Sequence, residues 1–171
     1  MAQAGISGRA FVYGDDINTD VLFAGKYTYT VTERSEMAKY ALEDLDPSFR
    51  ERVRPGDVIV AGKNFGCGSS REQAVICLKE SGVAAIIADS FARIYFRNAI
   101  NEGLPVIALA GAAQKIKDGD SVQVDLAAGT VTAPSGTYSF PALSPEVQAI
   151  LDAGGLVPYT KRKLASNATD C

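Results

Sequence analysis

Short apolar runs alternate with polar, glycine-marked turns along the chain, and its middle third reads as strand and helix in regular exchange. Residues 57–61, Asp57-Val58-Ile59-Val60-Ala61, lie between Gly56 and Gly62 and have the pattern of a buried strand. A helix over 70–80 follows, then a strand over 83–88, a helix over 91–102 and a strand over 105–109, with Gly103 and Pro105 punctuating the last crossover. This alternation predicts parallel strands covered by helices. Upstream, residues 9–13 and 19–23 read as short strands around the polar turn Gly14-Asp15-Asp16. A helix over 35–45 places Met37, Ala41 and Leu45 on one face and ends at Asp46-Pro47.

Downstream the period changes from helical to alternating. Residues 121–126 form a strand, and Ala127-Ala128-Gly129 turns the chain into a second strand at 130–133, followed by a third at 138–140. A helix over 145–152 closes the pattern, with Pro145 suited to its first turn and Gly154 near its C-cap. Residues 161–171 lack an apolar face and read as a flexible tail, whose Lys161-Arg162-Lys163 run is a solvated end. The expected organisation is one α/β domain over 1–160 with a tail over 161–171.

At 171 residues and 47% hydrophobic content, the chain supports one sizeable core. Its formal net charge of −3 offers no basic field for nucleic acid, so anionic ligands must be drawn by local arginines. The first residues lack the apolar centre of a signal peptide and no apolar run reaches membrane-spanning length, so a cytoplasmic protein is expected. The absence of histidine rules out a Ser-His-Asp triad or a His-ligated zinc site within this chain. The three cysteines, Cys67, Cys77 and the terminal Cys171, show no clustered ligand spacing, and no metal site is expected. Cys77, on a helix face with Ala74 and Leu78, reads as core; Cys67 is either a compact loop residue or a modifiable thiol.

The chemistry concentrates in Gly62-Lys63-Asn64-Phe65-Gly66-Cys67-Gly68-Ser69-Ser70-Arg71-Glu72-Gln73, at the junction of the strand at 57–61 and the helix that follows. Gly66 and Gly68 let the backbone approach a ligand, and the helix start directs N–H groups into the same space, which favours an anion or an alkoxide. Arg71 adds a planar fork of donors matched to a carboxylate. Two capping boxes compete, Ser69 with Glu72 and Ser70 with Gln73. Spacing leaves both readings open: two serines that only cap the helix, or a Ser69 hydroxyl released into the cleft. Nucleotide motifs do not fit. Arg71 stands where a dinucleotide fingerprint needs a small residue, and Gly62-Lys63 is followed by Asn64 where a Walker loop needs Ser or Thr.

Asn64-Phe65-Gly66-Cys67-Gly68-Ser69-Ser70-Arg71-Glu72, together with Gly82-Val83-Ala84-Ala85-Ile86-Ile87-Ala88, Ser90-Phe91-Ala92-Arg93-Ile94 and the early Asp16-Ile17-Asn18-Thr19-Asp20, resembles the swivel domain of the aconitase superfamily. Within it the similarity is greatest to free-standing small subunits of the 3-isopropylmalate dehydratase type, and it runs from Gly8 to about Gly155. The resemblance implies the swivel domain's β/β/α fold. It also implies a hydro-lyase subunit, active only with a large subunit carrying a [4Fe-4S] cluster, that isomerises 2-isopropylmalate to 3-isopropylmalate by dehydration and rehydration in leucine biosynthesis.

By the same resemblance Ser69 is the base and Asp20 an acidic group lining the cleft. Arg71 clamps a substrate carboxylate, with Gly68 and Ser70 lining its site. The loop containing Lys26, Tyr27, Thr28, Tyr29 and Thr30 meets the substrate's side group. Its aromatics suit an isopropyl group, whereas Lys26 or Arg34 would suit a further carboxylate. Gln73 stands where the family commonly has His. Arg93 is expected to tie its loop to Asp89 or Glu72, and Tyr95, Phe96 and Ile100 to be core. Related hydratases of homoaconitate, dimethylmalate or citramalate type, and a non-catalytic carboxylate-binding module, are the alternatives.

Overall fold

A computed structural model describes residues 5–169. Seven strands form one sheet in the order β4-β3-β2-β1-β5-β6-β7: β1 Ile6–Val12, β2 Val58–Ala61, β3 Ala85–Ala88, β4 Val106–Ala108, β5 Ser121–Asp125, β6 Thr130–Ala133 and β7 Gly136–Ser139. Among the described residues the α-helices are α1 Thr19–Leu22, α2 Arg34–Met37, α3 Phe49–Arg52, α4 Gln73–Glu80, α5 Arg93–Asn101, α6 Ala112–Lys115, α7 Pro145–Asp152 and α8 Leu156–Thr169. β1 joins two kinds of sheet. Its second half, Ala10 to Val12, pairs parallel with Val58 to Val60, while its first half, Ile6 to Arg9, pairs antiparallel with Ser121 to Val124. This is the expected parallel-then-antiparallel α/β domain.

Burial follows from that division. β2 and β3 are buried at every residue, as parallel strands covered on both faces must be. β5 alternates exposed and buried residues, as a strand with one solvated face does. α4 is buried at five successive residues, Ala74 to Leu78, because α1, α2 and α5 all pack against it. Cys77 is fully buried there; burial pushes its thiol well above its ordinary range, and the thiol donates to the Leu22 carbonyl at 3.4 Å. Tyr95 and Ile100 are likewise buried, with Phe96 packed against the core.

The sequence pattern fails in three places, each for a local physical reason. The expected strand over 19–23 is instead the short helix α1, Thr19–Leu22, because the Asn18 side chain accepts the N–H groups of Asp20 and Val21 at 2.7 and 3.2 Å. The expected helix over 35–45 stops early: α2 passes into a 3₁₀ turn at Ala38–Tyr40, and Leu42 takes a positive φ of 56° with its N–H bonded to the Leu22 carbonyl at 3.0 Å. In place of an unpatterned segment from 161, α8 runs through Leu156–Thr169. Its lysines, arginine, leucines and alanines are good helix formers, and its first turns pack on α7 and α5 with Tyr159 against the core. Residues 170 and 171, including Cys171, lie outside the described residues.

Candidate active site

Three sequence motifs separated by up to about seventy residues meet at one end of the parallel strands. The glycine loop after β2 is stitched to the segment after β1 by a run of bonds. Lys63 N–H donates to Asp15 Oδ1 at 2.7 Å, Asp16 N–H to the Lys63 carbonyl at 2.8 Å, Gly66 N–H to the Ile17 carbonyl at 2.7 Å, and Thr19 N–H to the Cys67 carbonyl at 2.8 Å. On its other side the loop is held by the Ser90 segment. Asn64 N–H donates to Ser90 Oγ at 2.9 Å, Phe65 N–H to the Ser90 carbonyl at 3.0 Å, and Ala92 N–H to the Phe65 carbonyl at 2.9 Å. Phe65, 1% exposed, anchors the turn by edge contacts with Tyr95 and Phe91, at centroid distances of 5.3 and 6.0 Å.

Two glycines are required for this path. At Gly66, with φ of 79°, a Cβ would fall 2.1 Å from the Tyr95 ring. At Gly68, with φ of 103°, it would fall 3.1 Å from Thr19 Oγ1 and crowd the hydroxyl that holds the next residue.

Neither capping box forms. α4 begins at Gln73 with Glu72 at the N-cap and no side-chain cap bond, and not at residue 70. Ser69 is exposed and its hydroxyl has two partners, Arg71 Nε–H at 2.8 Å and Thr19 Oγ1 at 3.0 Å. Its backbone N–H donates to Thr19 Oγ1 at 3.0 Å. Ser70 is exposed, its carbonyl accepts Asn98 Nδ2–H at 3.1 Å, and among the described residues no acceptor takes the N–H groups of Ser70 or Arg71. The loop therefore presents one exposed hydroxyl and two successive open N–H donors just after a glycine turn, groups suited to holding an anion.

Arg71 is the hub. Nη1 donates to the Phe23 carbonyl at 3.1 Å and to Thr28 Oγ1 at 2.9 Å, and Nη2 donates to Asp20 Oδ1. With the Ser69 bond, four of the five N–H groups that a guanidinium carries are committed, so the fork is pre-oriented and one Nη2–H is open. Its carboxylate partner is replaceable: the Arg71 side chain is 17% exposed and that of Asp20 71%, so the pair is water-screened on the acid's side.

The other expected contacts divide. Thr28 reaches the cluster, but Lys26 pairs with Glu43 at 3.8 Å and Tyr27 stacks on Tyr40 at 4.1 Å. Lys26 and Tyr27 both have raised pKa values, each chiefly through its side-chain hydrogen bond, to Tyr27 and to Glu43 respectively. Tyr29 is 91% exposed and Thr30 Oγ1–H donates back to the Lys26 carbonyl at 3.3 Å. Arg34 bonds to Glu102 at 2.7 Å and Glu80 at 3.4 Å, which ties it to the scaffold. Arg93 pairs with neither Asp89 nor Glu72; Asp89 accepts the Gly111 N–H. Sequence reasoning missed Thr19, the Phe23 carbonyl and Asn98. Thr19 stood inside a recognised motif, but nothing in its spacing indicated a partner fifty residues away.

Among the described residues no three His, Cys, Asp or Glu side chains group as a metal site, and no helix is long and apolar enough to cross a membrane. The aconitase C-terminal domain family matches residues 15–111, the span that contains all three converging motifs. A 3-isopropylmalate dehydratase small subunit of Moorella thermoacetica is 46% identical over 95% of this chain and 98% of its own length. An isopropylmalate/citramalate isomerase small subunit of Methanocaldococcus jannaschii is 43% identical over 95% and 97%. The crystal structure of a 3-isopropylmalate dehydratase from the same archaeon superposes with a TM-score of 0.92 at 44% identity, covering 98% of this chain and all of that one.

Proposed function

The chain belongs to the aconitase C-terminal domain family, and from that membership we propose that it is the small subunit of a 3-isopropylmalate dehydratase, working with a large subunit on a hydroxy dicarboxylate in leucine biosynthesis. One observation carries the chemistry: Ser69 caps no helix, and its hydroxyl is held at an exposed position by Arg71 and Thr19. In this reading Ser69 takes the proton from the carbon beside a substrate carboxylate. The hydroxyl on the neighbouring carbon leaves as water, its second proton supplied by solvent or by an acid of the large subunit, and the double bond formed is rehydrated with the opposite placement of H and OH. Arg71 receives the carboxylate, through its open Nη2–H or in exchange for the exposed Asp20. Ser70 and Arg71 N–H groups, reached past Gly68, stabilise the oxyanion that develops.

The two described cysteines offer no donor set for an iron–sulfur cluster, since Cys77 is buried against Leu22 and Cys67 stands apart in the loop. By the family resemblance, Lewis-acid assistance to the departing hydroxyl would come from a [4Fe-4S] cluster that this reading places on the large subunit. For the substrate's side group, the exposed Tyr29 of the 25–34 segment supports an apolar contact, and Arg34 is held to the scaffold by Glu102 and Glu80.

The test is reconstitution. The isolated chain should be colourless and without turnover. Combined with its co-purified large subunit, it should isomerise 2-isopropylmalate in preference to citramalate, dimethylmalate and homoaconitate in a substrate panel. Turnover by the isolated chain, or a preference for homoaconitate, would overturn the assignment.

A further inference from the structure

Thr19 is 1% exposed and is, with Asp57, one of the two buried polar side chains among the described residues. Asp57 has a structural task, accepting the N–H groups of Arg9 and Arg54, each at 2.8 Å. The bonds of Thr19 run to Ser69. Its Oγ1 accepts the Ser69 N–H and lies 3.0 Å from the Ser69 hydroxyl oxygen.

Counting protons orients this pair. A threonine hydroxyl has one proton to give, and among the described residues the acceptor within reach of Thr19 Oγ1 is Ser69 Oγ. Were Ser69 the donor, the Thr19 proton would be buried without an acceptor, an arrangement folded proteins avoid. Thr19 O–H therefore donates to Ser69 Oγ. The same oxygen accepts Arg71 Nε–H at 2.8 Å, so two donors converge on it and its own proton is left directed away from both, on the exposed side. Gly68 leaves room for this, since a Cβ there would crowd Thr19 Oγ1 at 3.1 Å.

We infer that Thr19 is a positioning residue that, with Arg71, holds Ser69 as an alkoxide acceptor aimed into the cleft. The inference rests on Ser69 being the base. Ionisation of Ser69 releases its outward proton to solvent and leaves both donors bound to the oxygen that carries the charge. That alkoxide then takes the substrate's C–H proton, the electron pair of the C–H bond staying on the substrate. Rehydration returns the same proton to carbon, and the two donors never leave the oxygen.

The experiment uses the reconstituted two-subunit enzyme. Thr19→Val, nearly isosteric, should lower kcat about 10- to 100-fold, the loss expected for one hydrogen bond to a charged oxygen, with KM changed less than about threefold. Thr19→Ser should restore kcat to within about threefold, and in a Ser69→Ala background Thr19→Val should lower the residual rate by less than about threefold. Thr19→Ala removes the hydroxyl with a smaller side chain and replaces valine if that variant does not fold. An unchanged kcat in Thr19→Val beside a crippled Ser69→Ala rejects the role of Thr19 and leaves Ser69 as base. Equal losses in both backgrounds, or a folded Thr19→Ser as slow as Thr19→Val, assign Thr19 to packing and overturn the inference. Full turnover in Ser69→Ala rejects the base itself.

Discussion

The glycine loop and the 25–34 segment lie on either side of Arg71 and are built on opposite principles. From Lys63 to Ser69 the glycine loop bonds to residues of the Asp15–Thr19 and Ser90–Ala92 segments, tens of positions away in sequence. The other segment bonds largely within itself: Thr28 N–H to the Gly25 carbonyl, and Thr30 and Val31 N–H to the Tyr27 carbonyl. Beyond that it is tied down by Thr28 on Arg71, the Tyr27–Tyr40 stack and ion pairs at Lys26 and Arg34, and Tyr29 projects into solvent. Proton transfer needs atoms held to fractions of an ångström, which long-range bonding supplies. Selecting a side group needs a surface that can be changed without disturbing that geometry, and a locally bonded loop supplies it.

The strongest way to break this comparison is at the base. Ser69→Ala should cut turnover of the reconstituted enzyme by roughly 10²- to 10⁴-fold, the range for a positioned acid–base group, with little change in substrate affinity. Its melting temperature should fall modestly: the serine caps no helix, but its loss leaves the buried Thr19 hydroxyl without its acceptor, at a cost of about 1–3 kcal/mol. A destabilised but fully active variant in single-turnover kinetics would return Ser69 to a structural role.

Arg71 tests the hinge between the two regions. Arg71→Ala removes a charge-assisted clamp of about 1.5–3 kcal/mol, so kcat/KM should fall about 10- to 150-fold and both kcat and KM should suffer. Arg71→Lys should recover only part of this. A lysine supplies a point charge but cannot reach Ser69, Phe23, Thr28 and Asp20 from one planar group. Steady-state kinetics on both variants decides; full rescue by lysine would mean that the charge alone is used.

The smallest effect should come from the other side. Exchanging residues 26–31, with Thr28 on Arg71 and the buried Val31 retained, should shift preference between apolar and acidic side groups by about 1–3 kcal/mol while a small common substrate is turned over almost normally. Within that segment, Tyr29→Ala should change stability by no more than about 0.5 kcal/mol, since its ring packs against little. An unchanged substrate preference after the exchange would place selectivity on the large subunit.

Much of the scaffold was legible in the chain because its cause is local. Short β-branched apolar runs closed by turn residues read as strands buried on both faces, and β2 and β3 are. The change to alternation after residue 120 marked the one-sided antiparallel strands, and Pro145 marked the first turn of α7. The glycines located the turn where backbone must bend left-handed, and the motif residues identified the family. What local pattern could not supply was the choice between competing partners. Thr19-Asp20-Val21-Leu22 reads as strand, yet one Asn18 side chain holding two N–H groups makes it a helix. Ser69-Ser70 with Glu72-Gln73 reads as caps, yet Ser69 found Thr19 and Arg71 instead. The sequence by itself determined the family and that its glycine-rich motif follows a buried strand. Only the tertiary structure decided that Thr19, Asp20 and Thr28 meet Ser69 and Arg71 across more than forty residues, because a hydrogen bond depends on where folding brings its donor and acceptor and not on their spacing along the chain.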